Sequence, residues 1–215
     1  MTPMKLYSAA RSSASFRVRI ALNLKSVPFE YVPVVLNKNE QFQDAFRQLN
    51  PAELVPVLVD GERQLTQSLA IIEYLEERFP QPPLLPHDAE LRAYVRAAAL
   101  SIACEIHPLN NLRVLRYLVR DLALSDEQKN GWYRHWVEQG LAQLEAWLVA
   151  TGRSGRYVLG DQLTLADVLV VPQIFNARRF DCRLDHVPTI MRIFDACMEL
   201  PAFEGARPEK QVDFA

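Results

Sequence analysis

Seven residues near the middle of the chain, Pro80-Gln81-Pro82-Pro83-Leu84-Leu85-Pro86, constrain the fold more than any other stretch. Proline has no N–H to give a helix or a sheet, and its ring fixes φ. Four of the fourteen prolines in 215 residues fall here, so the segment reads as a linker. That divides the chain into a first domain over residues 1–82, a linker over 83–89 and a second domain over 90–215. The length suffices for two small cores.

The two sides of the linker differ in pattern. Before it, strand and helix signals alternate. Met4–Tyr7 is a short apolar run, Ser12–Lys25 reads as a helix, and Phe29–Val35 is rich in β-branched and aromatic residues. Asn39–Leu49 reads as a helix and Val55–Val59 as a strand. Asp60-Gly61 is a hairpin turn leading into Arg63–Thr66, and Ser68–Phe79 is a helix. The order β-α-β-α-β-β-α, with a right-handed crossover first and a hairpin last, is thioredoxin-like.

After the linker the signals are helical. Leu91, Val95, Ala98, Ile102 and Ile106 recur at helical spacing, and Pro108 should kink that helix. Ser125 with Gln128, and Thr164 with Asp167, are capping boxes, and Leu163 and Val168 sit where a hydrophobic staple would place them. Trp132, Trp136, Gly140, Leu144 and Leu148 mark one face of a long helix. The last long helix begins at Pro188 and ends before Pro201, and the tail from Ala206 is expected to be poorly ordered. The expected fold class is α/β plus all-α: an N-terminal βαβαββα domain followed by a C-terminal helical bundle.

Composition excludes several roles. A formal net charge of −2 gives no basic surface for nucleic acid or an anionic membrane. No apolar run approaches ~20 residues, the length a membrane helix needs. The first ten residues lack the layout of a secretory signal. Three cysteines, Cys104, Cys182 and Cys197, without CxxC spacing argue against a disulfide framework or a zinc site and fit a reducing compartment, so a cytoplasmic location is expected.

Five clusters carry candidate chemistry. Arg11-Ser12-Ser13 lies at the junction of the first strand and helix, where N–H groups, the helix dipole and a hydroxyl can lower a thiol pKa from roughly 8.5. On the local pattern alone, Ser12 or Ser13 reads first as a helix cap. Arg17 and Arg19 read as structural, packing or pairing under the helix. Val55-Pro56 precedes a strand; a cis bond there would present the Val55 backbone to an extended peptide, while a plain strand start is the alternative. Gln67-Ser68 opens a helix and suits a carboxylate, or Ser68 is an ordinary cap. His107-Pro108-Leu109-Asn110-Asn111-Leu112-Arg113 gathers polar groups at the break, and Asn176-Ala177-Arg178-Arg179 puts two arginines at a helix end, where they also suit the dipole.

Together these motifs resemble one family. Ser12-Ser13-Ala14-Ser15-Phe16-Arg17-Val18-Arg19-Ile20-Ala21-Leu22 is similar to the zeta-class glutathione transferase signature S-S-C-x-W-R-V-R-I-A-L. Asn50-Pro51, Val55-Pro56 and Gln67-Ser68-Leu69-Ala70-Ile71 resemble that family's glutathione-site pattern, and Gly160-Asp161 with Thr164–Asp167 resembles its helical-domain capping motif. The resemblance runs from Met4 to about Pro208. Two positions depart from it: the motif cysteine is Ala14 and the motif Trp is Phe16, so thiol chemistry would have to use the glutathione sulfur.

The resemblance implies a glutathione-transferase fold, a homodimer and a cis-trans isomerase acting on maleylacetoacetate with glutathione as cofactor. It implies that Ser12, with Ser13 beside it, stabilises the thiolate. Val55 and Pro56 would meet the cysteinyl part of glutathione, Gln67 and Ser68 its γ-glutamyl carboxylate, and Gln41 its glycyl end. Arg11 and Arg179 would grip substrate carboxylates. His107, Asn111 and Arg113 would approach glutathione, in the manner of the bacterial members. The alternatives are maleylpyruvate isomerisation, conjugation or dehalogenation, and a non-catalytic binding protein of the same fold. A thiol-disulfide oxidoreductase is disfavoured, since no cysteine lies near the first helix.

Overall fold

The computed structural model describes residues 3–214. The ends of the two expected domains, at Met1, Thr2 and Ala215, lie outside the described residues. Backbone contacts divide the chain into two compact units: residues up to Pro83 together with those from Glu199, and Leu84–Met198.

The first unit is built on a mixed four-stranded sheet in the order β2-β1-β3-β4. β1 (Met4–Ser8) runs parallel to β2 (Phe29–Pro33), with Leu6 opposite Tyr31, and antiparallel to β3 (Val57–Asp60), which turns at Gly61 into β4 (Arg63–Thr66). Met4, Leu6 and Ser8 alternate inward, as a strand's period of two requires. Helix α1 (Ser13–Leu24) returns the chain from β1 to β2, and α3 (Ser68–Arg78) follows β4. Residues 39–49 depart from the expected single helix. Left-handed Asn39 (φ 60°) separates a 3-10 turn over Leu36–Lys38 from a second over Glu40–Phe42, and extended Gln43 (φ −73°, ψ 146°) separates that turn from a short α2 (Asp44–Leu49).

The proline-rich segment is held to this unit by a buried cation. Lys25 Nζ donates to Glu76 Oε2 at 2.6 Å and to the carbonyls of Phe79 and Pro82 at 2.7 and 3.1 Å. The tail also belongs here, which corrects both the disorder expected after Ala206 and the assignment of residues up to 215 to the helical domain. Helix α9 (Pro201–Glu204) presents the Ala202 carbonyl to Asn23 Nδ2 on α1, and Arg19 Nε donates to the Ala206 carbonyl at 3.0 Å.

The second unit is helical throughout. α4 (Ala89–Leu100) does not kink at Pro108 within one continuous helix. It widens into a π-helical turn over Ser101–Ile106, tightens into a 3-10 turn over His107–Asn110, and breaks at Asn111 (φ −63°, ψ 145°). Proline cannot donate to the preceding turn, and the backbone relieves that loss over a full turn. α5 (Leu112–Arg120), α6 (Asp126–Thr151), α7 (Leu165–Arg179) and α8 (Pro188–Met198) follow.

The buried stripe of α6 is Tyr133, Val137, Leu141, Leu144 and Leu148, rather than the face begun at Trp132. A strict spacing of four drifts around a helix of 3.6 residues per turn, so the two tryptophans end half-buried and edge-to-face at 5.7 Å. Gly140 is a close approach: a Cβ there would meet Ile106 Cγ1 at 2.4 Å. Buried Glu145 accepts the N–H groups of Thr189 and Ile190 and so caps α8 from another helix.

Asp167 lies at the centre of this unit and is fully buried. Its carboxylate accepts the N–H of Val158 at 2.8 Å, and the N–H and hydroxyl of Thr164 at 2.7 and 2.9 Å. Burial pushes its carboxyl up to about 6, against the pull of those donors. Asp167→Ala strands the donors in an apolar interior and should cost roughly 3 kcal/mol. Chemical denaturation of the two proteins, compared at pH 7 in urea, tests that value.

Candidate active site

Four candidate residues of the first unit, Ser12, Ser13, Gln67 and Ser68, lie at the N-termini of two helices. Ser12 is the N-cap of α1, and its Oγ accepts the Ser15 N–H at 3.2 Å. That bond uses a lone pair and leaves the hydroxyl proton available to a second acceptor, so the capping and thiolate readings coexist. The loop that delivers Ser12 is tied down at Ala9, Ala10 and Ser12. Ala9 N–H donates to Ser15 Oγ, Ser12 N–H donates to the Ala9 carbonyl, and Arg19 donates to the carbonyls of Ala9 and Ala10 at 3.3 and 3.0 Å. Arg11 points outward from this loop and is exposed, with its guanidinium over the Phe214 ring at 4.9 Å.

Ser68 is not the cap of α3. Gln67 occupies the cap position and Ser68 the first helical turn, so the ordinary-cap reading of Ser68 does not hold. Buried Arg17 on α1 donates Nη1 to Ser68 Oγ at 3.3 Å, linking the two helix N-termini. Gln67 has φ 68° and ψ 117°, a backbone conformation that L side chains rarely adopt. Such strain persists where the surroundings over-determine it and concentrates at ligand clamps.

Val55-Pro56 is cis, and the ladder of β3 begins only at Val57, so Val55 lies outside the paired strand. Gln41 is buried in a 3-10 turn after β2, and its Oε1 has no hydrogen-bond partner among the described residues. A buried acceptor without a donor costs about 1–3 kcal/mol, which a ligand donor would recover.

In the second unit, His107 opens the 3-10 turn and Asn111 caps α5, accepting the Arg113 N–H at 3.1 Å. Trp132 Nε1 donates to the Leu109 carbonyl at 2.8 Å and holds that turn against α6. Asn110, in the same candidate segment but given no role by the resemblance, has both polar atoms of its amide buried and without partners among the described residues. Arg113 is exposed, as is Arg179 at the end of α7, whose guanidinium lies over Phe180 at 4.9 Å. Phe180 in turn stacks on Tyr133 at 3.7 Å.

All three cysteines lie in this second unit. Burial pushes the Cys182 thiol up to about 12 and raises Cys197 further, so neither is a thiolate at neutral pH. Among the described residues no group of side chains has a metal-site arrangement.

A thioredoxin-like sheet bearing a serine at the first helix and a cis-proline before β3, with a separate all-helical unit, defines the glutathione transferase class of folds. Residues 6–83 match the glutathione S-transferase N-terminal domain, and residues 135–201 its C-terminal domain. A probable maleylacetoacetate isomerase of Vibrio cholerae is 49% identical over 215 residues, covering 99% of each chain. The holo structure of a maleylpyruvate isomerase, a bacterial zeta-class glutathione transferase, superposes with a TM-score of 0.96 at 48% identity over 98% of this chain and 100% of that one. A maleylacetoacetate isomerase from Methylobacterium extorquens AM1, solved with malonate and glutathione bound, gives a TM-score of 0.94 at 38% identity over 96% and 97% of the two chains. The chain belongs to the glutathione transferase family, in its zeta-class, maleylacetoacetate isomerase branch.

The strained cap offers a direct test of site against stability. Gln67→Gly removes the cost of a positive φ and should raise stability by about 1 kcal/mol. Differential scanning calorimetry should show a higher melting temperature, and an unchanged or lower value would mean that the backbone of Gln67 stores no strain.

Proposed function

We propose that this protein is a glutathione-dependent cis-trans isomerase that converts maleylacetoacetate to fumarylacetoacetate. The observation that carries the reading is the paired helix N-termini, with the Ser12 hydroxyl on one and Gln67-Ser68 on the other, joined through Arg17.

The first unit fits glutathione on its own features. The unpartnered Gln41 Oε1 suits a donor near the glycyl end. The Val55 backbone, outside the β3 ladder and followed by Pro56, suits the cysteinyl peptide. Gln67 and Ser68 suit the γ-glutamyl carboxylate, because a helix N-terminus favours negative charge. When bound, glutathione supplies a thiolate whose reversible addition to the conjugated alkene makes the double bond single, so rotation becomes easy and the cofactor is regenerated.

The chain's own residues act around that chemistry. The Ser12 hydroxyl donates to the sulfur and, with the helix dipole and Ser13 beside it, keeps it ionised near neutral pH. Arg11 in the first unit and Arg179 in the second are each the candidate for a substrate carboxylate, because a planar guanidinium gives two parallel hydrogen bonds. An enolate oxygen developing during addition also needs positive charge or N–H donors. His107, Asn111 and Arg113 are assigned to the approach to glutathione, and a homodimer in the cytoplasm completes the reading. Maleylpyruvate offers the same alkene on a shorter diacid, so the two substrates are compared directly.

The deciding experiment follows cis-to-trans conversion of maleylacetoacetate and maleylpyruvate, with and without glutathione, while titrating free thiol. Conversion should require glutathione and leave its concentration unchanged; consumption of thiol would instead identify a conjugating transferase. Arg179→Ala should raise KM for the diacid by about tenfold or more, the scale of a charged hydrogen bond, and leave KM for glutathione unchanged. An unaltered diacid KM would remove Arg179 from the site.

A further inference from the structure

We propose that the C-terminal tail is part of the active-site machinery: Asp213 and Phe214 are positioning residues that hold Arg11 and the Ser12 loop in working geometry. The proposal rests on the diacid isomerase reading above.

The Ala9–Ser12 loop lies between β1 and α1, where the ladder serves none of the backbone and the helix only the Ser12 carbonyl. Arg19 and Ser15 satisfy part of it from within the first helix. The Ala10 N–H is instead taken by Asp213 Oδ2 at 3.0 Å, from a residue 203 positions away. The other carboxylate oxygen, Oδ1, accepts the Tyr31 hydroxyl at 2.6 Å. Tyr31 stands on β2 opposite Leu6 of β1, so Asp213 is fixed against the sheet on one side and clamps the loop on the other. Burial raises the Tyr31 phenol well above its ordinary value, which keeps it an O–H donor at any working pH. The tail reaches this point as an ordered path: Arg19 Nε holds the Ala206 carbonyl, a 3-10 turn spans Pro208–Lys210, and Phe214 N–H closes on the Gln211 carbonyl.

The next residue completes the clamp. Phe214 lies against the Arg11 guanidinium at 4.9 Å. Among the described residues Arg11 has no carboxylate partner, so its N–H groups remain available to an incoming anion. A long exposed side chain loses rotamer freedom when it grips a ligand, and a ring that already orients its plane reduces that loss. Asp213 acts one step earlier, on the backbone two residues before Ser12. The tail therefore serves two groups that the reaction needs.

Full-length Phe214→Ala, Phe214→Tyr, Asp213→Ala and Asp213→Asn variants test this. Two readouts are used: steady-state kinetics with both substrates, and calorimetric titration with malonate, an unreactive dicarboxylate. Phe214→Ala should weaken malonate and raise the diacid KM by about fivefold, the scale of one exposed cation–π contact. Its kcat and its KM for glutathione should hold, and Phe214→Tyr should restore wild-type values. Asp213→Ala should also lower kcat, whereas Asp213→Asn should keep most of it, since an amide can still accept from Ala10 and donate to Tyr31. Wild-type malonate affinity and diacid KM in Phe214→Ala overturn the proposal. So does a fall in melting temperature with both KM values unmoved, the mark of a purely structural tail, or failure of the wild type to bind malonate. A wild type that binds malonate but isomerises neither diacid refutes the reaction reading, and the malonate series alone then decides the role of the tail.

Discussion

The arrangement of the first unit depends on one buried guanidinium. Arg19 sits on α1 with almost no exposed surface and donates to Ser8 Oγ and to the carbonyls of Ala9, Ala10 and Ala206. Burial lowers its pKa to about 10, with Tyr31 and Asp213 pulling in the opposite direction, so it remains charged at neutral pH. Removing one partner from a buried ionic network leaves the rest uncompensated, a far larger loss than the worth of any single contact. Arg19 thereby fixes the end of β1, the loop that carries Ser12 and the return of the C-terminal tail in one set of bonds.

Arg17 does the corresponding work for the second helix. It stands two residues before Arg19, on the opposite side of α1, and reaches Ser68 at the start of α3. Two arginines two residues apart in one helix thus set the N-termini of α1 and α3 relative to each other. The hydroxyl of Ser12 and the polar start of α3 are properties of a rigid helix pair, not of two independent loops. Strain at Gln67 is tolerated because Thr66 is paired with Val57 in the sheet and Ser68 is held by Arg17.

The second unit uses the same device in another form. Asp167 and Glu145 are buried carboxylates that serve backbone N–H groups at helix starts and in a loop, where no i−4 carbonyl exists. Asp167 was legible as the third helical residue of a capping box. Glu145 was not, because its partners at Thr189 and Ile190 lie more than forty residues on, and no local pattern joins them. Similarly, the periodicity that announced α6 placed Leu144 and Leu148 correctly but began the buried stripe at Trp132 and Trp136, one residue before Tyr133 and Val137; Gly140, on the expected face, is where α6 comes close to Ile106.

By itself, the sequence determined the division at the prolines, the strand and helix order of the first unit, the capping boxes and the identity of the motif serines and arginines. These are local properties, set by missing N–H groups, by periods of two and 3.6, and by hydroxyls placed before helices. Only the tertiary structure decided that Ser68 receives Arg17, that Gln67 holds a positive φ, that Gln41 keeps a buried oxygen without a donor, and that the tail is ordered. The tail shows why. Its composition is polar and its helical content is a single turn, so nothing local orders it. Its order comes from Ala10 and Tyr31, some two hundred residues away along the chain, whose donors Asp213 satisfies only after β1, β2 and α1 have assembled.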